Sequence, residues 1–180
     1  MNHQHIITAT QHWLTSFIIA YEICPFARHV HEHDAIRYRV LDSADVADCL
    51  AELIAECQHL DTEPATETTL VIFSAICRDF DDFLDVTALA EQLMVDLGYE
   101  GIYQLASFHP DYCFGGAEPD DAANATNRSP YPMLHLIREA SIELALQNYP
   151  NPEQIPERNI ALCRELGLTR IQALLAQSSR

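Results

Sequence analysis

The run Thr68-Thr69-Leu70-Val71-Ile72-Phe73-Ser74-Ala75-Ile76 decides the fold class. β-Branched and apolar residues fill it without the alternation of a half-wet strand, so it reads as a central strand buried on both faces. Upstream, Ile36, Tyr38 and Val40 alternate with Arg37 and Arg39, the period-two pattern of a strand with one wet face. Between them Asp42 or Ser43 caps a helix through Val46, Leu50, Leu53, Ile54 and Cys57, which ends in a polar turn around Pro64. Downstream, Phe80 to Leu97 is an amphipathic helix stopped by Gly98, its acidic first turn offsetting the helix dipole, and a third strand spans about Gly101 to Phe108. Strand, helix, strand, helix, strand predicts an α/β fold with a small, parallel, three-stranded sheet packed by helices.

Both ends of the chain read as helical. Trp13, Leu14, Phe17, Ile18 and Tyr21 have helical spacing from about Thr8 to Ile23, and Pro25 then places Cys24 at the helix end. Ser129-Pro130 resembles a cap followed by a first-turn proline, which predicts a helix carrying Leu134, Ile137, Ser141, Leu144 and Ala145 on one side. Two further helical stretches, 155–166 and 169–177, complete a helical C-terminal third. A chain of 180 residues with 48% apolar content supports one buried core, so residues 1–180 are expected to form a single domain.

Ten basic residues face twenty-seven acidic ones, a net charge of −17, which argues against nucleic acid and anionic membranes as partners. All ten are arginines, and the absence of lysine excludes Schiff-base chemistry and a phosphate-loop lysine. No apolar run is long enough for a membrane span or signal peptide, and six scattered cysteines without a Cys-x-x-Cys pair suit free thiols. A soluble protein of a reducing, cytoplasmic compartment is expected, with no cofactor implied and the oligomeric state left open.

Polar groups concentrate in Phe108-His109-Pro110-Asp111-Tyr112, the long loop to Arg128, and the segment that follows. Open α/β sheets bind ligands beyond their strand ends, which makes His109 a candidate acid or base. On a helix, Tyr131, His135, Arg138 and Ile142 would fall within roughly 60° of one another. Arg128 and Arg138 suit either a carboxylate or phosphate ligand or internal ion pairs, and a lone His135 more often packs than catalyses. His29, His31 and His33 would share one side of an extended segment, where they suit a metal or simply a solvated turn. Cys24-Pro25-Phe26-Ala27 allows three readings: a buried thiol after a helix, a haem thiolate, or a redox cysteine in the glutaredoxin manner, with 16–23 as the preceding strand.

Cys24-Pro25-Phe26-Ala27, the Ile36-Arg37-Tyr38 strand, Phe108-His109-Pro110-x-Tyr112 and Thr126-Asn127-Arg128-Ser129-Pro130-Tyr131-Pro132-Met133-Leu134-His135 together resemble a bacterial family of domains of unknown function. The likeness spans essentially the whole chain, although Cys113, Gly115 and Ala125 depart from the family's loop pattern. It implies no activity, but it groups Cys24, His109, Tyr112, Asn127, Arg128, Tyr131, His135 and Arg138 as one candidate site. The expected function is a small enzyme for an anionic small molecule, with Asn127, Arg128, Tyr131 and Arg138 binding and His109, Tyr112, His135 and Cys24 in chemistry. A metal- or haem-binding module and a thiol-redox protein using Cys24 are the alternatives.

Overall fold

The computed structural model describes residues 2–147 and 149–178. Four strands form its sheet: β1 (Ile36–Leu41), β2 (Thr68–Phe73), β3 (Tyr103–Phe108) and β4 (Met133–Arg138), in spatial order β1-β2-β4-β3. β1 and β2 are parallel, whereas β4 runs antiparallel to both β2 and β3. The three strands read from the sequence therefore do share one direction. The expected three-stranded parallel sheet is nonetheless corrected, because β4 wedges between β2 and β3 and makes the sheet mixed.

β4 replaces the helix expected after Ser129-Pro130. Its residues Met133, Leu134, Leu136 and Ile137 are buried on both faces, and a short apolar run buried on both sides carries no period that separates strand from helix. Ser129 does not cap a helix; its hydroxyl donates to the Tyr131 carbonyl at 2.7 Å. The real helix, α5 (Glu139–Leu146), begins where the sheet ends. The C-terminal third thus contributes a central strand as well as helices.

Side-chain alternation sorts the strands onto two layers. Leu41, Val71, Phe73, Leu134 and Leu136 face α3 (Val46–Thr62) and α4 (Phe80–Asp96), meeting Leu53, Cys57, Leu60, Phe83 and Ala90. Asp45, rather than Asp42 or Ser43, caps α3 by accepting from the Ala47 and Asp48 amides, and Asp79 caps α4. Gly98 ends α4 at φ +80°, a left-handed conformation that needs no Cβ. Arg37 and Arg39 of β1 lie on the α3 side of the sheet with their side chains 39% and 42% exposed, and pair there with Glu56 at 2.6 Å and Glu52 at 2.7 Å.

On the other face, Val40, Leu70, Ile72 and Met133 pack against α1 (His3–Trp13), its π-helical continuation Leu14–Ile19, α6 (Ile155–Leu166) and α7 (Leu168–Ser178). The first helix starts earlier than its apolar spacing suggested, because Asn2 caps it. Residues 29, 31 and 33 are not extended: α2 (Ala27–Glu32) carries the first two, and His29 and His33 rings lie 4.3 Å apart one helical turn on. The loop after Phe108 contains a 3-10 segment, Ala122–Asn127, on which α6 rests. Among the described residues no helix is long and apolar enough to cross a membrane.

Candidate functional site

A cavity of about 370 Å³ lies between the second face of the sheet and the layer of α1, α2 and α6. Its walls come from Trp13, Leu14 and Ile18, from Ile23 to Val30, from inward residues of all four strands, and from Ile155 to Ile160. The π-helical turn delivers Leu14 and Ile18 to the wall, a local widening that often marks functional sites. Strand pairing sets His135 between Leu70 of β2 and Ala106 of β3, and the small Ala106 leaves open the space that a larger side chain would fill. None of the described residues lining the cavity is Asp, Glu or Arg.

His135 is the polar centre of this wall. Its Nε2–H donates to Thr68 Oγ1 at 2.5 Å, because the single Thr68 proton is committed to the Leu136 carbonyl, also at 2.5 Å. The tautomer is therefore set, with the lone pair on Nδ1. His135 sits deep in the molecule, and the surface it retains is cavity wall; loss of hydration pushes its pKa down to about 4, so the ring is neutral at physiological pH. Asn127 adds an amide whose Nδ2 donates to the Ser107 carbonyl and whose Oδ1 accepts from Thr126 Oγ1, both at 3.1 Å.

Cys24 lines the same cavity. Burial raises its thiol pKa, and the Phe26 and Ala27 amides only partly offset this, so it is protonated near neutrality. The segment before it, 16–23, is π-helix and turn rather than the strand a glutaredoxin arrangement needs.

The other five residues of the expected site point elsewhere. His109 is fully buried: Nδ1 accepts from the Asp111 amide at 3.0 Å, Nε2–H donates to the Cys77 carbonyl at 3.0 Å, and the ring packs between Phe80 and Phe83. Desolvation lowers its pKa as well. Tyr112 packs on Phe80 and Phe114, and Tyr131 lies half-buried against the apolar core. The Arg128 guanidinium donates to the carbonyls of Tyr112 at 3.1 Å and Pro119 at 2.7 Å, bracing the loop. Arg138 donates to the carbonyls of Leu60, Glu63 and Thr66 at the end of α3 and lies 5.8 Å over the Tyr103 ring. Among the described residues neither arginine is in an ion pair; each donates to backbone carbonyls. In the register, Arg138 pairs with Tyr103 while His109 follows Phe108, so the two lie at opposite ends of the sheet, about 20 Å apart along the strands.

Of the eight expected residues, the fold gathers Cys24, Asn127 and His135 around one cavity. Thr68, Ala106 and Trp13 were not singled out, although a histidine inside the run Met133 to Ile137 already signalled a buried polar group needing a partner such as Thr68. Among the described residues no group of three or more His, Cys, Asp or Glu is arranged to hold a metal ion. No curated protein and no solved structure matches the chain. The model of a family described as protein of unknown function (DUF1415) matches residues 5–173, and with that span the chain belongs to this family.

Proposed function

We propose that the chain binds a small, mostly apolar molecule in the cavity between the sheet and α1, α2 and α6. The observation that carries this reading is a space of about 370 Å³ with apolar walls and one cluster of polar groups. Small-molecule sites fall in this size range and share this composition. The space opens to solvent and its lining is mostly apolar. Water bonded only to itself wets such a lining poorly, and a ligand with apolar bulk gains about 25 cal/mol for each Å² of apolar surface that it covers.

An enzyme for an anionic molecule draws less support, because Arg128 and Arg138 are spent on carbonyls away from the cavity. If chemistry occurs, Cys24 and His135 are the groups on the cavity wall able to take part, although a protonated thiol is a weak nucleophile. Titration with the neutral fluorophore N-phenyl-1-naphthylamine tests the binding reading. Saturable one-to-one uptake by the wild type is expected, together with loss of uptake in Ala106→Phe, which fills the cavity, at an unchanged unfolding midpoint. Failure of the wild type to take up the fluorophore saturably would overturn it.

A further inference from the structure

Many mostly apolar molecules carry a charge at one end, and the lining of this cavity has nothing to hold one. No Asp, Glu or Arg stands among the described lining residues, and the chain has no lysine. Arg128 and Arg158, next in sequence to the lining residues Asn127 and Asn159, donate to carbonyls instead, Arg128 to those of Tyr112 and Pro119 and Arg158 to those of Tyr21 and Glu22. The polar hydrogens of the lining are largely spent within the protein. Trp13 donates to the Arg128 carbonyl at 3.0 Å, Thr126 to the Asn127 side chain at 3.1 Å and Asn159 to the Ile23 carbonyl at 2.7 Å. Thr68 donates to the Leu136 carbonyl, and His135 to Thr68. Among the side chains this leaves a second amide hydrogen on Asn127 and on Asn159, and the weak donor of the Cys24 thiol.

We infer that the cavity takes its ligand uncharged: a neutral molecule as it stands, and a weak acid or amine only in its neutral form, the acid with a proton taken from solvent and the amine after giving one up. This rests on the cavity-binding reading above and selects the ligand class within it. A carboxylate or ammonium carried inside would exchange its hydration for an apolar wall without a counter-charge, a penalty that a neutral molecule of the same size escapes. A carboxylate left at the mouth is opposed as well, since the net charge of −17 repels anions. The titratable groups of the lining, Cys24 and His135, supply no counter-charge: near pH 7 the buried thiol is protonated and the imidazole neutral.

Calorimetry of the full chain with 1-naphthalenemethanol, 1-naphthoate and 1-naphthylmethylamine, three molecules of one size, tests the inference without any variant. At pH 7 the alcohol should bind at least tenfold more tightly than the acid, and at least tenfold more tightly than the amine. Between pH 6 and pH 8 the affinity of the alcohol should stay constant, while that of the acid falls about tenfold and that of the amine rises about tenfold for each pH unit raised, with one proton taken up or released per molecule bound. The acid or the amine binding as tightly as the alcohol, with no proton exchanged, overturns the inference and leaves cavity binding standing, provided that N-phenyl-1-naphthylamine still binds. If neither the alcohol nor N-phenyl-1-naphthylamine binds, the cavity-binding reading falls and the inference with it.

Discussion

His135 shows how one side chain acquires its properties from neighbours remote in sequence. Thr68 is 67 positions away and fixes its tautomer, while the surrounding apolar wall strips its hydration. A histidine whose folded pKa lies near 4 binds fewer protons folded than unfolded between about pH 4 and pH 6.5. Stability contributed by the neutral ring is therefore fully present above about pH 6.5 and is lost as pH falls toward 4. On that basis acidification from pH 8 to pH 5 should cost on the order of 2 kcal/mol through His135. Urea unfolding at the two pH values should show this loss in the wild type and a smaller one in His135→Leu, the difference isolating this ring from the carboxylates and from His109. An equal loss in both proteins would place the pH dependence elsewhere. Helical spacing put His135 on one face with Tyr131 and Arg138, and no periodicity argument could name Thr68 as its partner.

At the scale of elements, the decisive feature is β4 and what hangs from its end. On the helix expected over this segment, His135 and Arg138 would share a face. On a strand, an odd spacing puts them on opposite faces. His135 accordingly looks into the cavity, and Arg138 turns to α3, where its guanidinium takes the carbonyls of Leu60, Glu63 and Thr66. These carbonyls lie at and just beyond the last turn of α3, where no intrahelical donor is available, so the arginine of one element completes another. Arg138→Ala should lower stability by about 2 kcal/mol, as measured by chemical denaturation, since hydrogen bonds from a charged donor to partly buried carbonyls are lost. The same variant should take up N-phenyl-1-naphthylamine with unchanged affinity. A large loss of affinity at unchanged stability would return Arg138 to the ligand site.

For the whole molecule, the order β1-β2-β4-β3 makes the last strand in sequence an interior one. Without it β2 and β3 share no partner, and two apolar edges are left open. A chain ended at residue 128 should therefore lack cooperative unfolding, whereas in the intact protein the β4 amides should exchange as slowly as those of β2. Rapid exchange across β4 alone would show instead that the sheet stands without it. Local chemistry determined much of this architecture. The buried run of β2, the amphipathic patterns of α3 and α4, the acidic first turn of α4 and its glycine stop are short-range features written in residue spacing, and they pointed to the α/β class. The net charge of −17, with no lysine among the cations, was equally explicit. Tertiary structure alone decided the rest. β4 is a strand because β2 and β3 offer it backbone partners on both sides, a long-range pairing that overrides a local cap-and-proline signal. The two guanidinium groups do not meet because backbone carbonyls in different parts of the fold claim them, while Cys24, Asn127 and His135 line one apolar space.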